Sequence, residues 1–507
     1  MGNKKEIKTA LISVYHKDKL DEIISHLHLL GVRIFSTGGT ANFVESQGIP
    51  VSRVEDLTGY PSILGGRVKT LHPMVFGGIL ARREVSEDQD TMVSYGIPEI
   101  DLVIVDLYPF EETLAAGGSE SEVIEKIDIG GISLIRAAAK NHRDVLIVPS
   151  KDSYGELLRI LTEQKGISSL DERKEMAGEA FAVSSHYDTA IWQYFNGEKK
   201  SALKLSLDNY KTLRYGENPH QEGRYYGNLS DLFEQLNGKE ISYNNLLDID
   251  AAVRLIDEFS QTTFAVLKHN NACGLASRAK MSDAWKDALA GDPVSAFGGI
   301  LVTNRVLDHE TATEIDKIFY EVIIAPDYEK EALEVLNKKK NRIILKRRPS
   351  KLPDVQFRTI LDGVLWQNRD MKTEGRDDFN PVTKKSPSSD EIADLLFANI
   401  LVKHTKSNAI VLVKNEQLLA SGVGQTSRID ALEQAIEKAG KFGFELNGAV
   451  MSSDAFFPFK DSVEIAHKAG IKSVIQPGGS IRDKESIDFC DENNMSMVVT
   501  GTRHFKH

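Results

Sequence analysis

The chain has 507 residues, 41% hydrophobic and 27% charged, which is more than one hydrophobic core usually serves and implies two or more globular domains. A net charge of -12 argues against non-specific nucleic-acid binding as the main task, while leaving room for anionic small ligands in a local basic pocket. Only two cysteines occur, Cys273 and Cys490, so neither a disulfide framework nor a multi-cysteine zinc site can be built, as a reducing compartment would have it.

The first residues, Met1 to Lys8, lack the apolar core of a signal peptide, and Glu6 stands where a myristoylation motif wants Ser or Thr. No apolar run approaches membrane-spanning length. The expectation is a cytoplasmic protein with neither a membrane nor a nucleic acid as partner.

From the amino end, Ala10 to Val14 is a short apolar run suited to a buried parallel strand. Asp18 is placed to cap a helix that gathers Leu20, Ile23, Ile24, Leu27 and Leu30 on one face before Gly31 ends it. Val32 to Phe35, Asp101 to Asp106 and Val145 to Val148 continue the alternation of strand and helix. The pattern predicts a doubly wound α/β domain with its ligand site at the carboxyl ends of the strands. The polar stretch Asn196 to Ser201 marks the domain boundary, giving domains 1–199 and 200–507. Beyond it, strand-like runs at Phe264 to Leu267, Ala409 to Val413, Ser473 to Ile475 and Met497 to Val499 again alternate with helical ones. Residues 368–390, rich in charge, Pro and Ser, read as a surface excursion that splits the second domain into two lobes. No short internal repeat is visible. The cations from Lys338 to Arg348 read as a helix end and a solvated strand edge, since no aromatics are interleaved as single-stranded nucleic acid would want.

Several loops have the residue types that phosphate chemistry needs. Ser36-Thr37-Gly38-Gly39-Thr40 follows a strand and opens a helix, where glycine amides and the helix N-terminus favour an anion; Ser13 and Lys17 fall at the same sheet edge. Gly65 to Pro73 packs Arg67, Lys69 and Thr70 into a glycine-led loop, and in an extended loop Arg67 and Lys69 would point the same way. His72 before Pro73 reads as structural. Tyr108 sits at the carboxyl edge of a strand, Asp128 precedes Gly130-Gly131, and Lys140 closes the helical run that follows, so a phenol, a carboxylate and a lysine near one anion could exchange protons. Asp128 also suits a helix cap, and Lys140 a helix-end cation. In the second domain Arg214 suits a phosphate and Tyr215 a base, while Lys268-His269 ends a buried strand with a charge stabiliser beside a group that moves protons near neutral pH.

With these motifs in view, the first domain resembles the inosine monophosphate (IMP) cyclohydrolase domain, related to methylglyoxal synthase-like domains. The resemblance rests on Ser36 to Thr40, Gly65 to Pro73, Leu107 to Phe110, and Ile127 to Gly131 running on to His142. The second domain resembles the formyltransferase domain for aminoimidazole carboxamide ribonucleotide (AICAR). That match rests on Leu213 to Gln221, Val266 to Gly274, Ser295 to Gly299, Ile323 to Pro326, Lys403 to Ala409, Gly422 to Arg428, Ser452 to Phe459 and Arg503 to His507. The two resemblances cover nearly the whole chain in order.

They imply a methylglyoxal synthase-like parallel α/β domain followed by a two-lobed, cytidine deaminase-like α/β transferase domain. The implied activity is formyl transfer from 10-formyltetrahydrofolate to AICAR, then cyclisation of the product (FAICAR) to IMP, with no metal and in a homodimer whose transferase sites form between subunits. Implied nucleotide contacts are Ser13, Lys17, Ser36, Thr37, Gly38, Gly39, Arg67, Lys69, Thr70 and Asp128, with Lys140, Lys69 and Tyr108 at the closing ring. For formyl transfer His269 is the implied base and Lys268 the stabiliser. Substrate contacts fall on Arg214, Tyr215, Gly298, Glu321, Asn408, Arg428, Phe456 and Arg503, and folate contacts on Ile429, Asp461, Gln476 and Pro477. The chain departs from the family at Asp106, usually Asn, at Ala272, commonly Pro, and at Glu321, often Asp.

Two rival readings make different demands. A nucleotide-sensing binding protein would not need Lys69, Asp128, Lys140, Lys268 and His269 together, and a zinc deaminase would need a Pro-Cys-x-x-Cys site that the chain lacks.

Overall fold

The structure, a computed structural model, describes residues 4–197, 202–208 and 210–507. It divides into two compact units, Met1–Asp208 and Asn209–His507. The junction expected at 199 and 200 lies outside the described residues.

In the first unit five parallel strands lie in the order Ser52–Arg53, Arg33–Ser36, Thr9–Val14, Leu102–Asp106, Leu146–Val148. Strand residues such as Leu11, Ile12, Val103 and Ile104 are fully buried between helical layers, which is why they read as unbroken apolar runs rather than alternating ones. Because the sheet's first strand in chain order, Thr9–Val14, is central and the chain winds out both ways, the strand order reverses beside it, the place where a doubly wound sheet offers a ligand crevice. The helix Leu20–Leu29 forms as its apolar spacing predicts, but its cap position is taken by Lys19 in the left-handed region (φ 60°), not by the Asp18 side chain.

The second unit is built on one mixed sheet of twelve strands. Its centre is a pair of hairpins, Thr263–Lys268 with Asn271–Ser277 and Ile410–Lys414 with Gln417–Gly422, joined where Ala276 faces Gln417. Outward from the first hairpin come Ile300–Thr303 (antiparallel), then Val322–Ala325 and Ile343–Arg347 in parallel. Outward from the second come Val450–Ser453 (antiparallel), then Ser473–Gln476 and Ser496–Val499 in parallel. Each half is preceded by a capped helix, Tyr243–Ile256 and Ser389–Lys403, closed at the start by Ser242 with Asn245 and by Ser388 with Glu391. The lobes are therefore two copies of one topology in one sheet, a long structural repeat that no short sequence repeat announces. Each copy also needs one close helix approach: a Cβ added at Gly274 would fall on the Ala288 carbonyl oxygen, and one at Gly422 on that of Ala431.

Residues 368–390 are more than a surface excursion. Asn380–Pro381 adds the sheet's outermost strand against Ser496–Val499, and Glu374 is 5% exposed. The basic cluster is largely paired: Arg342 is buried against Asp316 and the Tyr320 ring, Lys346 meets Asp327, and Arg347 meets Asp257. No helix among the described residues is long and apolar enough to cross a membrane.

Candidate active sites

In the first unit the carboxyl ends of Thr9–Val14, Arg33–Ser36 and Leu102–Asp106 converge on the crevice. Ser13 and Lys17 are half-buried there, and the Lys17 amine turns to the carbonyls of Val14 and Tyr15. Burial lowers the Lys17 pKa, opposed by Asp106 and helped by Lys69. The Ser36 and Thr37 hydroxyls are spent inside the fold, Ser36 on Ile12 O (2.7 Å) and Thr37 on Glu55 Oε1 (3.0 Å). An anion in this crevice would therefore meet the backbone at the start of the helix Gly38–Ser46.

Lys69 and Thr70 bridge two such helix starts. A Cβ at Gly38 would lie 3.3 Å from Lys69 Nζ, and one at Gly130 would lie 3.0 Å from Thr70 Oγ1, so a side chain at either glycine would crowd the approach. Asp128 precedes the helix Gly130–Lys140 and accepts the Gly131 amide at 2.6 Å, which makes it a cap and a site residue at once. Burial raises the Asp128 pKa, against the amides of Gly131 and Tyr108 and the charge of Lys69. Burial, then the neighbouring Asp128, raise that of Tyr108.

Two expectations change here. The loop carrying Arg67 is not extended: Leu64, Gly65 and Gly66 make a tight left-handed turn (φ 52°, 67° and 90°) and Arg67 follows at φ -66°, with its guanidinium on Glu125 at the surface while Lys69 enters the crevice. Lys140 ends the helix that Asp128 begins, and eleven residues at a rise of about 1.5 Å each put its backbone about 15 Å away, exposed. The structure thus brings Lys69, Thr70, Tyr108 and Asp128 together and leaves Lys140 outside. The departure at Asp106 is absorbed by His16, whose ring and amide both bond its carboxylate (2.7 and 2.8 Å). His72 caps the helix Pro73–Leu80, as its structural reading has it.

Sequence reasoning missed Tyr187, whose hydroxyl takes the Asp128 amide (2.9 Å) and donates to Lys126 O (2.5 Å), and Tyr15, whose ring meets Tyr108 edge-on at 5.6 Å. Tyr187 lies 59 positions from Asp128 on the helix Leu170–Asn196, too far for any local signal.

In the second unit strand directions place the catalytic candidates along one edge of the sheet. That edge holds the carboxyl end of Thr263–Lys268, the amino ends of Ile300–Thr303, Val322–Ala325 and Ile410–Lys414, and the carboxyl end of Val450–Ser453. Lys268 and His269 therefore share an edge with Gly298, Glu321, Asn408 and Asp454, and Asn271 ties the two lobes there by accepting the Lys406 amide (3.0 Å). A cavity of about 850 Å³ opens at this edge, lined by Arg214, Tyr215, Asp248, His269, Gly298 and Glu321 among others. His269 is exposed and Lys268 donates to Phe297 O at 2.8 Å. Glu321 pairs with Lys239 at 2.6 Å, so the longer carboxylate at this departure is held by a cation. Arg428 bonds Asn408 Oδ1 (3.2 Å), Ser453 Oγ (2.8 Å) and Asp454 (2.6 Å). Phe456 and Arg503 are exposed, Arg503 lying over the Phe505 ring.

The expected folate residues divide. Ile429 is half-buried on the helix Arg428–Lys441 and Asp461 opens the helix Asp461–Lys468. Gln476 is 1% exposed and its amide is spent on the Phe457 N–H (3.1 Å) and the Met497 sulfur, so it holds the Phe456-Phe457 segment rather than opening to a ligand. Pro477 lines a smaller hollow of about 380 Å³ with Gly478, Gly479 and Thr500. Cys273 is buried, bonds Val266 O, and has its thiol pushed up to about 12 by burial, which leaves no thiolate nucleophile near neutral pH.

The carboxyl terminus is pinned beside this edge. His504 is 2% exposed between Asp370 (2.6 Å) and Glu374 (2.9 Å), and its main chain donates to Asp454 O. Burial disfavours its charged form, but the two carboxylates outweigh burial and raise its pKa to about 9. A raised folded pKa means the stabilisation is whole below the unfolded value near 6.5 and is lost as pH rises towards about 9. The melting temperature of the second unit should therefore fall over that window, and His504→Gln should flatten the dependence; an unchanged pH profile in the variant would refute it.

Comparison with known proteins gives the family of the chain. The AICARFT/IMPCHase bienzyme family matches residues 138–438, and the MGS-like domain family matches residues 19–133. The chain belongs to the AICARFT/IMPCHase bienzyme family, whose two activities are formyl transfer to AICAR and closure of the product to IMP. It is 65% identical to the bifunctional purine biosynthesis protein PurH of Bacteroides thetaiotaomicron across the full length of both chains. It is 48% identical to that of Aquifex aeolicus, covering 98% of this chain and 100% of that one. It is therefore a bifunctional formyltransferase and cyclohydrolase of purine biosynthesis, and a formyltransferase of this family takes its formyl group from a folate-type donor.

Proposed function

We propose that the two reactions are divided between the units: formyl transfer at the Lys268–His269 edge, and ring closure in the crevice of Lys69, Tyr108 and Asp128. The observation behind this division is that each unit holds its own convergence of cations and proton-moving groups, one lining an 850 Å³ cavity and one at a strand-order reversal. The formyl donor is 10-formyltetrahydrofolate.

The exocyclic amine of AICAR is a poor nucleophile because its ring and carboxamide withdraw electrons. As its nitrogen bonds to the formyl carbon, His269 removes the amine proton. Lys268 offsets the negative charge on the tetrahedral oxygen, and the C–N bond to the folate breaks as that nitrogen gains a proton. In the first unit the carboxamide nitrogen then attacks the formyl carbon. Lys69 and the helix-start amides beside Gly130 stabilise the oxyanion, and Asp128 and Tyr108 carry protons until water leaves. The raised Asp128 pKa suits a carboxyl that must both hold and release a proton.

The working form is a cytoplasmic homodimer. Support for a second copy comes from the hairpin of Val355–Ile360 and Gly363–Asn368, which exposes Phe357, Ile360, Leu361, Val364 and Leu365, since a two-stranded ribbon is marginal unless something covers it. Incubation of the protein with AICAR and 10-formyltetrahydrofolate labelled in the formyl carbon should yield IMP carrying the label in its closed ring. Label released as free formate, with AICAR unconsumed, would overturn the reading.

A further inference from the structure

Formyl transfer as read above places His269 in an unusual stretch of backbone. His269 and Asn270 have φ of 52° and 64°, a left-handed pair in which non-glycine residues are disfavoured. The pairing of Lys268 with Asn271 makes this a two-residue hairpin turn, which calls for positive φ at both residues, and a contact from a neighbouring element holds it further. The helix Tyr243–Ile256 supplies one: Asp248 Oδ1 accepts the Asn270 amide at 2.6 Å.

The second copy of the fold shows which parts of this arrangement belong to the frame. There Asn415 and Glu416 form the same two-residue turn, with φ of 52° and 51°. Both amides bond the carboxylate of Asp394, at 2.9 and 2.6 Å. Asp248 and Asp394 are each the sixth residue of the capped helix that opens their copy. The preceding lysines match as well: Lys268 donates to Phe297 O (2.8 Å) and Lys414 to Asn447 O (2.7 Å), each carbonyl followed by a left-handed glycine, Gly298 or Gly448. The copies part at the turn itself, where one carries His269 and the other Asn415. The second turn lies at the opposite edge of the sheet, where Ser277 N bonds Glu416 O.

We infer that Asp248 is a positioning residue for formyl transfer: it locks the left-handed turn that presents His269 to the cavity. A helix carboxylate gripping a two-residue turn is a structural device of this fold, present in both copies, and only the first copy carries an imidazole on it. Asp248 grips a single amide where Asp394 grips two, and it also lines the cavity. Within the hairpin the turn is held by the Lys268–Asn271 pairing and by the Asn271 side-chain amide, which donates to His269 O at 2.8 Å; the hold from outside the hairpin is Asp248.

The inference rests on His269 being the base, so the test separates the two. In the full-length protein, Asp248→Ala should lower kcat for formyl transfer by about 100-fold, the scale expected when a catalytic group is misplaced by about 1 Å. Its KM for AICAR should stay within about threefold, because the phosphate and base contacts are untouched. Asp248→Asn keeps an acceptor for the Asn270 amide and should recover kcat to within about threefold of the parent. Full kcat in Asp248→Ala would overturn the inference, as would equal losses in the Ala and Asn variants or a fall confined to KM. His269→Ala measured alongside distinguishes the failures. If it keeps formyl transfer, the reading of the site is wrong; if it loses it while Asp248→Ala does not, only the positioning role is wrong.

Discussion

His269→Ala should cut formyl transfer by about 100- to 10,000-fold while leaving cyclisation of FAICAR at its parent rate, because a single positioned acid or base is typically worth that much. The magnitude follows from the chemistry of the nucleophile. An amine conjugated to a carboxamide-bearing ring becomes reactive only as its proton leaves, and an imidazole is the residue type suited to taking it. Asp248 is engaged by the Asn270 amide, Glu321 by Lys239, and Lys268 by Phe297 O. His269 is exposed at the turn, open to substrate. Each half-reaction assayed separately decides the matter: loss of both activities in a folded variant would break the division of labour, and retention of formyl transfer would remove His269 from it.

Where sequence and structure agree, the signal was local. Unbroken apolar runs such as Leu102–Asp106 and Ile410–Lys414 are strands because both faces are covered, and the glycine pairs at 38–39 and 130–131 stand where a cation or a hydroxyl comes closest to a helix start. Where they part, the cause is geometry over distance. Alternation along an extended loop would have aimed Arg67 and Lys69 together, but a tight left-handed turn at Leu64–Gly66 breaks the extended run and Arg67 goes to Glu125. Lys140 follows Asp128 closely in sequence, yet a straight helix converts that closeness into separation. Gln476 lies next to a cavity residue in sequence but turns inward to the Phe457 amide. The doubling of the second unit was invisible because its two copies share positions of backbone need, the sixth-residue aspartates and the left-handed turns, and not a run of matching letters.

Lys69→Ala should produce the mirror image of the histidine variant: cyclisation of FAICAR lowered by about 100- to 1,000-fold, the usual loss for removing one preorganised stabiliser of a developing oxyanion, with formyl transfer at the parent rate. Lys69 stands apart from Lys17, Arg67 and Lys140 on geometric grounds. Lys17 spends its amine on the carbonyls of Val14 and Tyr15, Arg67 pairs with Glu125 at the surface, and Lys140 stands at the far end of the helix. Lys69 alone of these reaches the start of the helix at Gly38 and weighs on the charge of Asp128. Its positive charge acts where the oxyanion forms, and it also helps keep Asp128 ionised against the pull of burial. Removing it should therefore carry a second signature: the acidic limb of the cyclisation pH profile should move upward, because Asp128 would lose a neighbour that lowers its pKa. A variant that lost rate without that displacement would place Lys69 at the oxyanion but not beside Asp128, and one that kept its rate would remove Lys69 from the reaction.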